Sequence, residues 1–350
     1  MDNLNKNVLH PVIRNFKETE TRQTLQMHEK YHYTSPEAFL SIISGNRLRF
    51  TDARYMNDKT ELIYFVKILI DFIEKSKEKF PLCLECINRI FAQYDWRKIK
   101  NFEIEHFDLT PNIQDISNQN ISPKRIYIFC TSTDSDSLSM WNYYVKGGNY
   151  QGYNIGFNIN KLLKQFEYIK INDANDFNIY YGNVIYDVKE QHKAIEIFLK
   201  SREHFMQEHI GIWDTNKEKD LFANRYLLIG QELIRQYIES RGAFYKHPCF
   251  AHEKEFRIVV EINKNLIPHS EKEAEVKFGF NGIFEDFCTK NGLVIPFLNV
   301  PIENDAINNV TISPMTEFKI AKQSVLELFD KKKIKVDNYT IRKSQIPIRF

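Results

Sequence analysis

Two groups of polar side chains in this sequence have types and spacings suited to chemistry. The first is Tyr31-His32-Tyr33-Thr34, followed at a distance by Asn57, Asp58 and Glu61. The second is Glu253-Lys254-Glu255-Phe256-Arg257. A histidine carries protons near neutral pH, and a fixed carboxylate can stabilise charge that develops only in a transition state. On a strand, Glu253, Glu255 and Arg257 alternate onto one face, and Lys254, Phe256 and Ile258 onto the other. Two carboxylates on one face repel unless a cation offsets them. Arg257 is that cation, either within a site or in a solvated, salt-bridged face.

Other groupings are thinner. Cys83-x-x-Cys86 lacks a second cysteine pair for zinc. His247-x-Cys249-x-x-His252 has ligand types, but reads more simply as the polar entry to a strand. Asn57-Asp58-x-x-Glu61 with Glu253 or Glu255 offers hard oxygen donors for Mg²⁺, which would suit a metal-dependent nuclease. No G-x-x-x-x-G-K-[ST] phosphate loop occurs, and Gly147, Gly148, Gly152 and Gly156 are too loosely spaced for a dinucleotide fingerprint. Those glycines read as turns and bulges.

The elements that must hold these groups follow from local pattern. Tyr31 to Thr34 alternates aromatic and polar side chains, as a half-buried strand does. Ser35 is an N-cap, Pro36 suits the first helical position, and Gly45 is the expected left-handed stop. Caps account for Ser35, Asn57 and Asp58; they do not account for His32, Thr34 or Arg54. A second strand spans Leu48 to Thr51, and an amphipathic helix runs from Lys59 to about Lys79, ended by Pro81. A further helix runs through Cys86 to Lys98, and residues 101–124 form a long loop. Strands are expected at Arg125–Thr131, Tyr153–Phe157, Tyr180–Tyr186, Lys254–Ile262, Leu293–Val300 and Ile307–Ile312, with a short helix at Ser137–Val145. Between Val188 and Gly242 the chain is charged, nearly glycine-free and helical in period, so two long helices are inserted there. Thr316–Phe329 is a helix, and the end returns as a strand.

The chain has 350 residues, 43% apolar and 14% aromatic, ample for a buried core. Lys and Arg total 48 against 46 Asp and Glu, a net +2. There is no global basic field, and nucleic-acid binding would need a local patch. Five cysteines, an odd number, with no signal peptide or long apolar run, read as free thiols in the cytoplasm, away from membranes.

The opening Tyr31-His32-Tyr33-Thr34-Ser35 with Asn57-Asp58-x-x-Glu61 resembles a bacterial family known as domain of unknown function 2971. Phe129-Cys130-Thr131-Ser132, Met140-Trp141, His252-Glu253-Lys254-Glu255-Phe256-Arg257 and Ser344-Gln345-Ile346-Pro347-Ile348-Arg349 match that family in order. A first-strand histidine, a Ser/Thr-rich strand end and a later Glu-x-Glu also resemble ADP-ribosyltransferases. That second resemblance implies an α+β fold, a bent mixed or antiparallel sheet flanked by helices, forming one catalytic domain over residues 1–350 with a helical insertion at 189–242. It implies Glu255, Glu253 and Arg54 as catalytic groups. His32, Tyr33, Thr34, Asn57, Glu61, Ser132, Trp141 and Arg257 would hold NAD, the ADP-ribose donor, with no metal.

The expected activity is transfer of ADP-ribose to a macromolecule, by a toxin or phage-defence effector that a neutralising antitoxin partner could restrain. Nucleic acid is the favoured acceptor over protein, with Lys193, Lys200, Arg202, Lys217, Lys219, Arg225 and Arg235 of the insertion facing its phosphates. A metal-dependent nuclease and a non-catalytic ligand-sensing or interaction module stand as alternatives. The transferase reading requires His32 and Thr34 to share a cleft with Glu255.

Overall fold

A computed structural model describes residues 29–56, 61–92, 94–101, 124–145, 150–164, 166, 177–211, 219–279, 282–290, 292–334 and 340–347. The fold is α+β, with an open mixed sheet of ten strands among the described residues. In chain order these are β1 (Glu29–Thr34), β2 (Arg47–Asp52), β3 (Lys124–Ser132), β4 (Tyr153–Asn158), β5 (Phe177–Asn183), β6 (Glu255–Asn263), β7 (Phe284–Lys290), β8 (Leu293–Pro301), β9 (Ile307–Ile312) and β10 (Thr340–Lys343). The strand order is β10-β9-β4-β1-β3-β2-β8-β7, and β6 branches from β3 with β5 on its far side. β1 runs antiparallel to β3 and β4, β2 to β3 and β8, β4 to β9, β5 to β6 and β7 to β8, whereas β10 is parallel to β9.

The chain forms two compact units. The first gathers Met1–Asp52, Tyr127–Asn183 and His252–Phe350; the second gathers Ala53–Ile126 and Val184–Ala251. The second therefore joins the expected insertion to a segment more than sixty residues upstream of it.

In the first unit, Ser35 caps α1 (Pro36–Gly45): its hydroxyl accepts from the Ala38 N–H at 3.3 Å, with Pro36 in the first turn. The left-handed stop is Asn46 (φ 48°, ψ 44°) rather than Gly45, which closes the helix itself. Asparagine tolerates that region because its short amide bonds locally. The main core collects Phe39, Ile43, Phe50, Phe129, Phe157, Phe256 and Ile258 among others. Phe39 lies stacked on Tyr153 at 4.1 Å between ring centroids, which fixes α1 over β4. Gly156 sits at a register shift between β4 and β9, as expected of a bulge glycine, and a Cβ there would strike the Asn309 amide at 2.5 Å. Strand β7 and the helix Glu271–Phe278 were not expected from the sequence pattern.

In the second unit, the inserted helices are Val188–Gly211 and Lys219–Gly242. The helix expected from Cys86 begins earlier, at Pro81, and ends at Ile90. Phe80 cannot cap it. The carboxylate of buried Glu203 does so instead, accepting from the N–H groups of Leu82 (3.1 Å) and Cys83 (2.9 Å). Cys83 and Cys86 are buried, and burial, chief among the causes, pushes both thiols up, Cys86 to about 12. Among the described residues no helix is long and apolar enough to cross a membrane.

Candidate functional site

Strand β1 lies inside the sheet, between β3 and β4, and both of its faces are covered. Tyr33 is buried on one face, Lys30 and Thr34 on the other. The half-buried strand of the sequence reading is thus covered on both faces, because the main core lies on one and the Tyr33–Trp141 cluster on the other, although Tyr31 and His32 stay half-buried. Its register sets Tyr31 against Ser132 of β3, and Lys30, His32 and Thr34 against Phe157, Ile155 and Tyr153 of β4.

Contacts show which side each group takes. The His32 ring lies 4.8 Å from the Phe129 ring, and the Lys30 ammonium 5.0 Å from the centroid of Phe256. Phe129 and Phe256 both belong to the main core. On β6, Glu255 and Arg257 alternate with Phe256 and Ile258, so they take the reverse face. Tyr144 confirms this: burial raises its phenol pKa most, then the charges of Glu255 and Glu253, while Arg257 lowers it. Tyr144 packs on the cluster of Tyr33, Met140, Trp141 and Val145, which covers that reverse face. His32 and Glu255 therefore lie on opposite sides of the sheet. The expectation that His32 and Thr34 share a cleft with Glu255 is wrong. The two motifs do meet, at β3: His32 grips its backbone, and the Thr131–Thr133 end of the strand grips the backbone of the Glu253–Phe256 motif.

That grip is a set of side-chain bonds. His32 Nδ1 lies 3.0 Å from the Cys130 carbonyl, which can only accept, so Nδ1 carries the proton and Nε2 keeps a lone pair. Burial lowers the His32 pKa, against the opposing effect of that bond, and favours the neutral ring. Thr131 donates to the Phe256 carbonyl (2.9 Å), Ser132 to the Glu253 carbonyl (2.7 Å), and the Thr133 N–H to the Lys254 carbonyl (2.9 Å). Lys254 has φ 46°, so Glu253 and Glu255 do not continue one strand. Glu253 closes a 3-10 turn (Pro248–Glu253) and β6 starts at Glu255. The simple alternation of Glu253, Glu255 and Arg257 is thereby corrected. A turn, not the pleat, sets where Glu253 stands.

Glu255 and Arg257 are 3% and 0% exposed and pair at 2.6 Å (Oε2 to Nε), so the solvated-face alternative is wrong as well. Several other NAD-binding candidates have structural partners. The Tyr33 hydroxyl donates to the Asp134 carbonyl (2.8 Å) and accepts from the Ser137 N–H (2.9 Å). Trp141 Nε1 donates to Asp136 (2.7 Å), which also accepts from the Ser344 hydroxyl (2.7 Å) and the Gln345 N–H (2.6 Å). One carboxylate therefore ties the Trp141 helix to the C-terminal Ser344-Gln345 motif.

Arg54 belongs to the second unit, in an exposed 3-10 turn, its guanidinium 5.5 Å from the Tyr55 ring. Asn57 and Asp58 lie outside the described residues, as do the side chains of Lys217, Lys219 and Arg225. Glu61 opens the helix Glu61–Lys75. Two cations of the expected basic wall face inward instead. Arg202 is buried, and Arg235 is clamped by Glu232 (2.6 Å) and Glu239 (2.5 Å). Both long helices pack against each other and against the helix Pro81–Ile90. Among the described residues no three His, Cys, Asp or Glu side chains are grouped to hold a metal.

Tyr144 was missed, although it stands one helical turn beyond Met140 and Trp141 and so shares their face. Lys30 was missed because a lysine at a strand start reads as exposed.

Residues 140–258 match a family model described as Protein of unknown function (DUF2971). Over that stretch the chain is similar to the DUF2971 family. The match runs from Met140 through Trp141 and Tyr144 to Glu255, Arg257 and Ile258, so it spans the Glu255 face of the site. No curated protein and no solved structure matches the chain.

Proposed function

We propose that this protein transfers ADP-ribose from NAD to a macromolecule, using the Glu255 face of the sheet alone. The supporting observation is the buried Glu255–Arg257 pair at 2.6 Å, whose charges, with that of Glu253, act on the Tyr144 phenol beside the larger effect of burial. Breaking the nicotinamide–ribose bond builds positive charge on the ribose, which a pre-placed carboxylate stabilises in the transition state and not before. Arg257 pairs with Glu255 at 2.6 Å and so orients its carboxylate. Half-buried Tyr144 stands between that pair and a ligand, with Tyr143 and His252 (rings 5.6 Å apart) as an exposed aromatic rim. The resemblance to ADP-ribosyltransferases required His32 and Thr34 in the same cleft as Glu255; that requirement fails, so the proposal drops both residues and rests on the Glu255 face alone. The acceptor stays at the level of a macromolecule, since Arg202 and Arg235 are turned away from phosphates.

The burial of the Glu255–Arg257 pair favours a second reading, a ligand-sensing module in which the pair is a brace and NAD chemistry is absent. One assay separates them. Labelled NAD is offered with the full chain to RNA, DNA and cell lysate in parallel, and released nicotinamide is followed. The transferase predicts label in one macromolecular fraction, and a loss of about 10²–10⁴-fold in Tyr144→Phe/Glu255→Gln/Arg257→Gln relative to Tyr144→Phe. NAD bound without nicotinamide release overturns the transferase and leaves the sensing module.

A further inference from the structure

We propose that strand β7 is a self-association edge: two copies of this chain pair their β7 strands antiparallel about a two-fold at Cys288, so that one sheet continues into the other. Among the described residues β7 ends the strand order, with β8 on one side and no strand on the other. The Glu285 N–H donates away from β8, to the Pro268 carbonyl (2.7 Å). Backbone groups alternate in direction along an antiparallel strand, so Phe287 and Thr289 turn theirs outward as Glu285 does. The Phe287 N–H donates to the exposed carboxylate of its neighbour Asp286 (2.8 Å), a side-chain stand-in for a strand carbonyl. An outward row of this kind is a template for a further strand.

Register and residue type select a second copy as the occupant. With the two-fold at Cys288, Phe287 of one copy stands opposite Thr289 of the other, and each such pair exchanges two backbone hydrogen bonds. Both outward positions are then used, and Glu285 keeps its bond to Pro268. Moving the centre to Phe287 would set Thr289 against Glu285, whose N–H Pro268 already holds. The Cys288 register also places Asp286 opposite Lys290 of the second copy, twice by symmetry, so unlike charges meet. Asp286 yields the Phe287 N–H to a Thr289 carbonyl and takes the lysine instead. The apolar side chains agree. Phe287 pairs with Pro296 and Thr289 with Val294 across the hairpin, so Phe287 and Val294, 58% and 65% exposed, share one face. In the paired form the two Phe287 rings lie diagonally across the joint and cover that strip. Cys288, a free thiol, meets its own copy directly opposite.

The test is analytical ultracentrifugation of the full-length chain with its thiols reduced. The joint is short, so a concentration-dependent dimer is expected, with Kd on the order of 10–100 μM. Thr289→Pro removes an outward N–H without touching the ladder to β8, and should raise Kd about tenfold or more. Asp286→Lys sets like charges opposite one another and should also weaken the dimer, whereas Asp286→Lys/Lys290→Asp should restore it. That restoration decides the matter even if Thr289→Pro lowers the melting temperature. Under a mild thiol oxidant, peptide mass spectrometry should find the disulfide joining Cys288 of two copies ahead of any bridge through the exposed Cys249. A monomer at every concentration overturns the proposal. So does a dimer that Asp286→Lys leaves intact, or one bridged through Cys249 first. A strand of another protein seated on β7, with no self-association, overturns the second copy as occupant.

Discussion

The two faces of the sheet around β3 handle charge in opposite ways. On the Glu255 face, a carboxylate and a guanidinium are both buried and satisfy one another at 2.6 Å, with Tyr144 beside them. On the His32 face, the Lys30 side chain sets its ammonium 5.0 Å from the Phe256 ring, and burial lowers its pKa to about 8. Both faces were built from strands of similar pattern, in which charged residues alternate with aromatic ones. The difference teaches that alternation says which residues share a face, not whether water does. A charge without water must be paired or be given up by losing or gaining a proton. Arg257 and Glu255 take the first course; Lys30 is pushed towards the second.

The largest effect that would break this comparison is loss of one partner from the pair. Glu255→Gln keeps the volume but leaves Arg257 buried with less compensation, so a destabilisation of about 3–5 kcal/mol is expected in urea unfolding. Glu255→Gln/Arg257→Gln should recover much of it, and a double variant as unstable as the single would mean that the pair does not behave as a unit. The activity assay therefore needs the double variant as its folded control.

On the other face the sign reverses. Lys30→Met should stabilise by about 1–3 kcal/mol at pH 7, because it removes a desolvated amine and keeps the packing on Phe256. The folded-state pKa is lowered, so between about 8 and 10.5 the unfolded chain binds more protons than the folded one. Stability of the natural protein due to this group thus rises with pH across that window, and the advantage of Lys30→Met should shrink there. An advantage that is flat with pH would show that the amine is not desolvated.

Smaller effects test the scaffold between the faces. Tyr33→Phe removes both the bond to the Asp134 carbonyl and that from the Ser137 N–H, with an expected cost of about 1–3 kcal/mol. A melting temperature unchanged by Tyr33→Phe would mean that the Asp134–Ser137 turn is held by other groups. Last, Ser35→Ala removes a cap at 3.3 Å, a long bond, and should cost about 0.5–1 kcal/mol. A larger loss would give Ser35 a task beyond capping.

Local signals were read well where one residue type has one use. Ser35 and Pro36 open α1, Ile307–Ile312 is a strand as expected, and Val188 to Gly242 holds two long helices. The same signals failed where a partner distant in sequence decides. Glu203 caps a helix that begins 122 residues earlier, at Pro81, and no local pattern announces it. Arg235 looked like a phosphate contact until Glu232 and Glu239 of its own helix took it, a spacing of three and four residues that was legible and passed over.

For this protein the amino-acid order by itself determined the α+β class and the sites of most helices and strands, because capping, periodicity and turn preference act over a few residues. Tertiary structure alone decided that β1 is covered on both faces, that Lys254 breaks the Glu253–Glu255 alternation with φ 46°, and that His32 and Glu255 stand back to back across β3. The reason is that strand pairing fixes which faces exist, and burial then decides which charges must find a partner. Neither is encoded within reach of a single element.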